Sequence, residues 1–98
     1  MKTIGLETDL ELDFDVAKRL ADAVASACLG ECTCLSWFDQ ATGQESPSHA
    51  SDCHGSCETP GYLEYAIHRG AELRVEVKAG RFVFCFRPLG EFATERSP

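Results

Sequence analysis

The residues best equipped for chemistry lie in one short stretch, Asp52-Cys53-His54-Gly55-Ser56-Cys57-Glu58, with His49 just before it. Thiols, imidazoles and carboxylates at this density are the soft and borderline ligands that zinc or iron takes. Cys53, His54 and Cys57 form the centre of such a set, and His49, Asp52 or Cys34 can complete the sphere. The same atoms permit a second chemistry. One of Cys53 and Cys57 can carry a persulfide or attack a disulfide while the other resolves it, with His54 as base or proton donor. Cys-x-x-x-Cys occurs as a single pair and is not the two-residue knuckle of common zinc modules, so the spacing alone does not choose between these uses. A third expectation needs no reaction: a non-catalytic module whose charged strand face and acidic first helical turn are read by a protein partner.

Six cysteines in 98 residues is a high count. Met1-Lys2-Thr3-Ile4-Gly5 shows no apolar leader and no stretch approaches a membrane span, so a cytoplasmic chain is expected. In a reducing compartment the cysteines serve packing, metal ligation or thiol chemistry rather than a disulfide scaffold. Cys28 falls on the apolar stripe of a helix and Cys85 inside an apolar strand, and both are expected in the core. Cys32 and Cys34 point the same way along a strand. Cys32 is expected about 20 Å along that strand from the cluster, which makes it a poor ligand and leaves Cys34 the better placed. A net charge of -7 repels phosphate backbones and anionic lipid, so neither nucleic acid nor membrane is an expected partner. No phosphate-cradling Gly loop, serine elbow or carboxylate pair at an interpretable spacing points to a hydrolase or transferase.

The elements that must position the cluster follow from periodicity. Ile4 and Leu6 share one face of a short strand. Asp13 or Asp15 then caps a helix whose stripe is Val16, Ala17, Leu20, Ala21, Val24, Ala27 and Cys28, ended by Gly30. Glu31 to Asp39 alternates as a strand, with Leu35 and Trp37 on one face and Cys32, Cys34 and Ser36 on the other. Residues 40–58 carry almost no large apolar side chain and form a long loop, flexible in its first half. Thr59 and Pro60 open a second helix with Tyr62, Leu63, Ala66 and Ile67 on its apolar side, and His68 and Arg69 complement its last turn. Leu73, Val75 and Val77 make a strand with one wet face. Ala79-Gly80 turns the chain into Arg81–Arg87, which is apolar on both faces and therefore central in a sheet.

The order strand, helix, strand, long loop, helix, strand, strand predicts an α+β two-layer sandwich with a mixed four-stranded sheet and both helices on one face. Residues 1–90 form one domain on this reading, and 91–98 a flexible tail. The run Pro60-Gly61-Tyr62-Leu63-Glu64-Tyr65-Ala66-Ile67-His68-Arg69-Gly70-Ala71-Glu72-Leu73, with the Val75–Arg87 hairpin, resembles the closing helix and hairpin of the TusA/SirA-like sulfur-carrier proteins. That family carries sulfur on a Cys-Pro-x-Pro motif opening the first helix. Leu12-Asp13-Phe14-Asp15 stands there instead, so the family's persulfide site has no counterpart in this turn. The resemblance implies a sulfur carrier only if the thiol has moved to Cys53 or Cys57, beside the start of the second helix, whose positive end would favour a thiolate.

Overall fold

The computed structural model describes residues 1–47 and 61–89. In chain order the elements are β1 (Lys2–Leu6), α1 (Phe14–Leu29), β2 (Cys32–Asp39), β3 (Gln44–Ser46), α2 (Gly61–His68), β4 (Leu73–Val77) and β5 (Phe82–Pro88). The strands form one mixed sheet in the order β1-β4-β5-β2-β3. Only β1 and β4 pair in parallel; the other three neighbouring pairs are antiparallel. As its sequence predicts, β5 is central and forms a hairpin with β4.

α1 starts where Asp13 accepts the Val16 amide at 2.9 Å, satisfying a donor that no helical carbonyl can reach. It stops at Gly30, whose φ of 76° suits a residue without Cβ. Ala17, Ala21 and Ala25 recur every fourth residue and are fully buried. These small side chains let the helix lie close on Val75, Val77, Phe82, Phe84 and Phe86. Phe14 wedges between Trp37 and Phe84, with ring centroids at 4.5 and 5.6 Å. Burying each such ring contributes about 1.5–3 kcal/mol.

β5 alternates strictly. Phe82, Phe84 and Phe86 face α1, whereas Val83 and Cys85 face Tyr62 and Ala66 of α2. The helices therefore cover opposite faces, which corrects the expected two-layer sandwich with both helices on one face. The doubly apolar β5 is the physical reason, since each of its faces needs its own cover. The expected count of four strands is corrected as well. Residues 40–58 are not one long loop: Asp39 turns the chain by accepting the Ala41 amide on its carboxylate at 3.1 Å and the Gly43 amide on its carbonyl at 2.8 Å. Gln44–Ser46 then returns against Trp37–Asp39 as the fifth strand. Its three polar side chains carry no apolar alternation, and backbone pairing alone makes it a strand.

Two side-chain placements also change. A bulge between Cys34 and Ser36 inserts Leu35 as an extra residue opposite β5. Beyond it the alternation reverses, so Trp37 joins Cys32 and Cys34 on the α1 side while Leu35 and Phe38 pack under α2. Cys28 is exposed rather than buried. It sits in the last turn of α1, at the mouth of a groove instead of over the sheet. The expected cap at Thr59-Pro60 and the tail at 91–98 lie outside the described residues. Among the described residues no helix is long and apolar enough to cross a membrane.

Candidate functional site

Of the five residues singled out for chemistry, only Cys34 lies among the described ones; His49, Cys53, His54 and Cys57 fall outside them. The structure nevertheless defines the frame from which residues 48–60 depart and to which they return. Departure is from β3, where Ser46 pairs with Trp37 and Glu45 with Phe38. Return is at α2, where Ser36 Oγ donates to the Tyr62 carbonyl at 2.7 Å. The Tyr62 ring also stacks on Phe38, with centroids 5.1 Å apart and planes 4° from parallel. Both ends are thus pinned to Ser36, Trp37 and Phe38 of β2, a strand held on its other side by β5.

Ser36 is 2 % exposed, and its hydroxyl is the polar contact that fixes the start of α2 to the sheet. The bulge makes this possible, since it turns Ser36 from the α1 side, where simple alternation puts it, to the α2 side. No feature of the sequence announces this role.

Three of the four described thiols, Cys32, Cys34 and Cys85, are raised by burial, while Cys28 is exposed. Cys34 donates to the Ser36 carbonyl at 3.4 Å and faces α1. Burial pushes its thiol up to about 11, with the charges of Lys18 and Asp22 acting in opposite senses. Burial likewise raises Cys85, with the neighbouring Ser36 side chain pulling the other way. Cys32 is raised mainly by burial, with a hydrogen bond to Ser26 pulling the other way. A thiol that holds its proton at neutral pH is a poor nucleophile and a poor ligand. Among the described residues no three His, Cys, Asp or Glu side chains gather closely enough to hold a metal. His68 ends α2.

An ion pair that periodicity cannot reveal, with a buried Asp39 and a partly exposed Arg81, joins the β2–β3 turn to the start of β5. Asp39, 7 % exposed, has its carboxylate 3.7 Å from Arg81 Nε. Asp39 already serves the turn amides, so this pair holds the hairpin rather than offering a free acid. The signal for it was Asp39 four residues before Gly43, an Asx-type turn.

On the α2 side of the sheet, α2 packs over β2 and β5, and no other described helix covers the β1–β4 half. There Arg74 Nε donates to Thr3 Oγ1 at 3.2 Å and pairs with Glu76 at 3.3 Å. A Cβ placed on Gly5 would meet nothing within 4 Å. This is the charged strand face expected to suit a partner.

Fold and site together define a small α+β domain: a mixed sheet between helices, closed thiols inside, and a Cys/His-bearing connection anchored at both ends on one strand. The chain belongs to the DUF5619 family, described as a domain of unknown function, whose model matches residues 1–86. It is also similar to the crystal structure of protein AF1514 from Archeoglobus fulgidus DSM 4304, at 31% identity and a TM-score of 0.74, over 93% of this chain and 98% of that one. No curated protein matches it.

Proposed function

We propose that the protein binds one zinc or iron ion through Cys53, His54, Cys57 and His49, and that the rest of the fold is the scaffold for that site. The observation that carries this reading is the double anchor on β2: the Ser46–Trp37 pairing at one end, the Ser36–Tyr62 hydrogen bond and Phe38–Tyr62 stack at the other. Ligands strung between two fixed points lose less freedom on binding than ligands on an open chain. The protonated state of Cys34 supports leaving it out of the ligand set, because a metal would have to displace a proton from a thiol that burial holds near 11.

The test is a native mass spectrum with elemental analysis, on protein purified without chelator or reductant. One zinc or iron per chain, lost in Cys57→Ser and in Cys53→Ser, is the expected result. Protein that is metal-free and stays so after incubation with zinc or ferrous salt refutes the proposal. A second reading, a thiol-based sulfur carrier or redox protein of the kind that the TusA/SirA resemblance implies, uses the same two cysteines. What favours it is the start of α2 at Gly61, just after Cys57, because the positive end of a helix dipole stabilises thiolate. It predicts metal-free protein carrying a reductant-sensitive sulfur adduct on Cys53 or Cys57.

A further inference from the structure

β1 forms one edge of the sheet. Lys2 donates its amide to the Glu72 carbonyl and Leu6 offers its carbonyl to the Lys78 amide, at 3.1 and 2.8 Å. In a parallel ladder the residues that bond a neighbour alternate, so the amides and carbonyls of Thr3 and Gly5 point outward from the sheet. An edge strand of this kind is a template for another strand unless charge, proline or a bulge blocks it. The described Lys2–Leu6 strand contains no proline and no bulge, and its one charged residue is Lys2.

Beside that edge lies uncovered apolar surface. Lys18 and Asp22 of α1 act on Cys32 and Cys34, so this flank of the helix faces β2. At 100° per residue, Val16 and Leu20 fall on the opposite flank, toward β4 and β1. Both are 39% exposed. Leu10 is 65% exposed in the segment joining β1 to α1, and Met1 is 49% exposed at the start of β1. Of the large apolar side chains exposed among the described residues, Ile67 alone lies elsewhere. A groove of about 680 Å³ runs between Met1–Ile4, the last turn of α1 and the start of β4.

We propose that this face is the interface of a homodimer, in which β1 pairs antiparallel with β1 of a second copy and extends the sheet across both. The strand complements itself. Overlapping the whole of Lys2–Leu6 sets Ile4 opposite Ile4 of the second copy and Thr3 opposite its Gly5, so every outward amide and carbonyl of these residues finds a partner. Gly5, whose missing side chain answers no contact within its own chain, leaves room for that close approach. Lys2 at one end and Glu7 at the other bring unlike charges to both ends of the pair. The two-fold axis of an antiparallel pair is perpendicular to the sheet, so both α1 helices stay on one side and their Val16 and Leu20 flanks turn toward each other over Ile4 and Leu6. A strand pair with this apolar cover has the elements of a standard interface, about 800 Å² per partner.

The experiment is light scattering on size-exclusion fractions, together with amide exchange resolved to residues 2–7, on the full chain and two variants. Leu20→Lys adds charge on an exposed helix position, and Gly5→Pro removes one outward amide while sparing the β1–β4 ladder. The expected result is a mass of twice 10.7 kDa for the parent, with slow exchange at Gly5, and a single-chain mass for Leu20→Lys with unchanged circular dichroism and Gly5 exchange faster by at least tenfold. Gly5→Pro is expected to match Leu20→Lys in mass and circular dichroism. A parent that stays a monomer at about 100 μM, above the micromolar-to-picomolar range of standard-size interfaces, overturns the proposal. So does a dimer that survives Leu20→Lys, or one in which the Gly5 amide exchanges freely.

Discussion

Replacing Ser36 with Ala isolates the contact that ties α2 to the sheet. The hydroxyl is buried, and its 2.7 Å bond to the Tyr62 carbonyl spans residues 26 apart in sequence. A net hydrogen bond contributes roughly 1 kcal/mol, and leaving a buried group short of its partner costs about 1–3 kcal/mol. The Tyr62 carbonyl lies in the first turn of α2, where it can also accept from the helix, so the cost belongs toward the lower end. The loss of one oxygen leaves only a small void. We expect about 1.5 kcal/mol of destabilisation, which for a domain of this size lowers Tm by roughly 6–12 °C. Urea unfolding with an unchanged m-value measures it directly. Because the bond holds one end of the 48–60 segment, metal affinity is expected to fall in the same variant, and α2 amides to exchange faster than those of β5. A loss under about 0.5 kcal/mol with α2 protection intact would refute this account, and with it the anchor on which the metal site is built.

Ala79 sits at φ 56°, a left-handed conformation that costs a residue with Cβ about 1 kcal/mol, so Ala79→Gly is expected to raise stability by roughly 0.5–1 kcal/mol in the same unfolding assay. Its amide keeps its 3.1 Å bond to Glu7. Cys34 makes stability fall in alkali. The thiol ionises near 9.0 when unfolded and near 11 when folded, so both states are protonated below 9 and only the unfolded state gains by losing its proton between these values. Stability therefore declines as pH rises from 9 to 11, by no more than about 2–3 kcal/mol, and Cys34→Ala is expected to flatten that part of the profile. An equal alkaline slope in the variant would assign the effect to other groups.

Much of the fold could be read from residue spacing. Asp13 as cap, Gly30 as stop, the alternating Leu73–Val77 and the hairpin after it are local features, and local chemistry decided them. What escaped was set by tertiary pairing. Phe82–Phe86 already carried the information that both faces of the sheet are covered, because neither set of its side chains is polar; it implied a central strand and, equally, two helices on opposite sides. The bulge at Leu35 leaves no trace in alternation and reverses the facing of Trp37 relative to Cys34. β3 is stabilised by backbone bonds and an Asp39 turn, so apolar patterning has nothing to report there. Cys28 obeyed the helical period yet lies beyond the sheet's reach, since period gives a direction but not what stands in it. The Cys/His cluster was legible as composition, and the structure adds its two anchor points.

The strand order has a kinetic consequence. β1 and β4 form one half of the sheet, β2 and β3 the other, and β5 is the seam between them. A growing chain that has not yet delivered Phe82–Pro88 holds two half-sheets with bare inner edges and two helices with no surface to share. The pairings that close the sheet, β1 with β4 and β2 with β5, join strands far apart in sequence, which slows the search and leaves apolar strands open to neighbours meanwhile. Cooperative folding of the whole sheet therefore waits for Phe82–Pro88, the last strand of the chain order, to join its two halves.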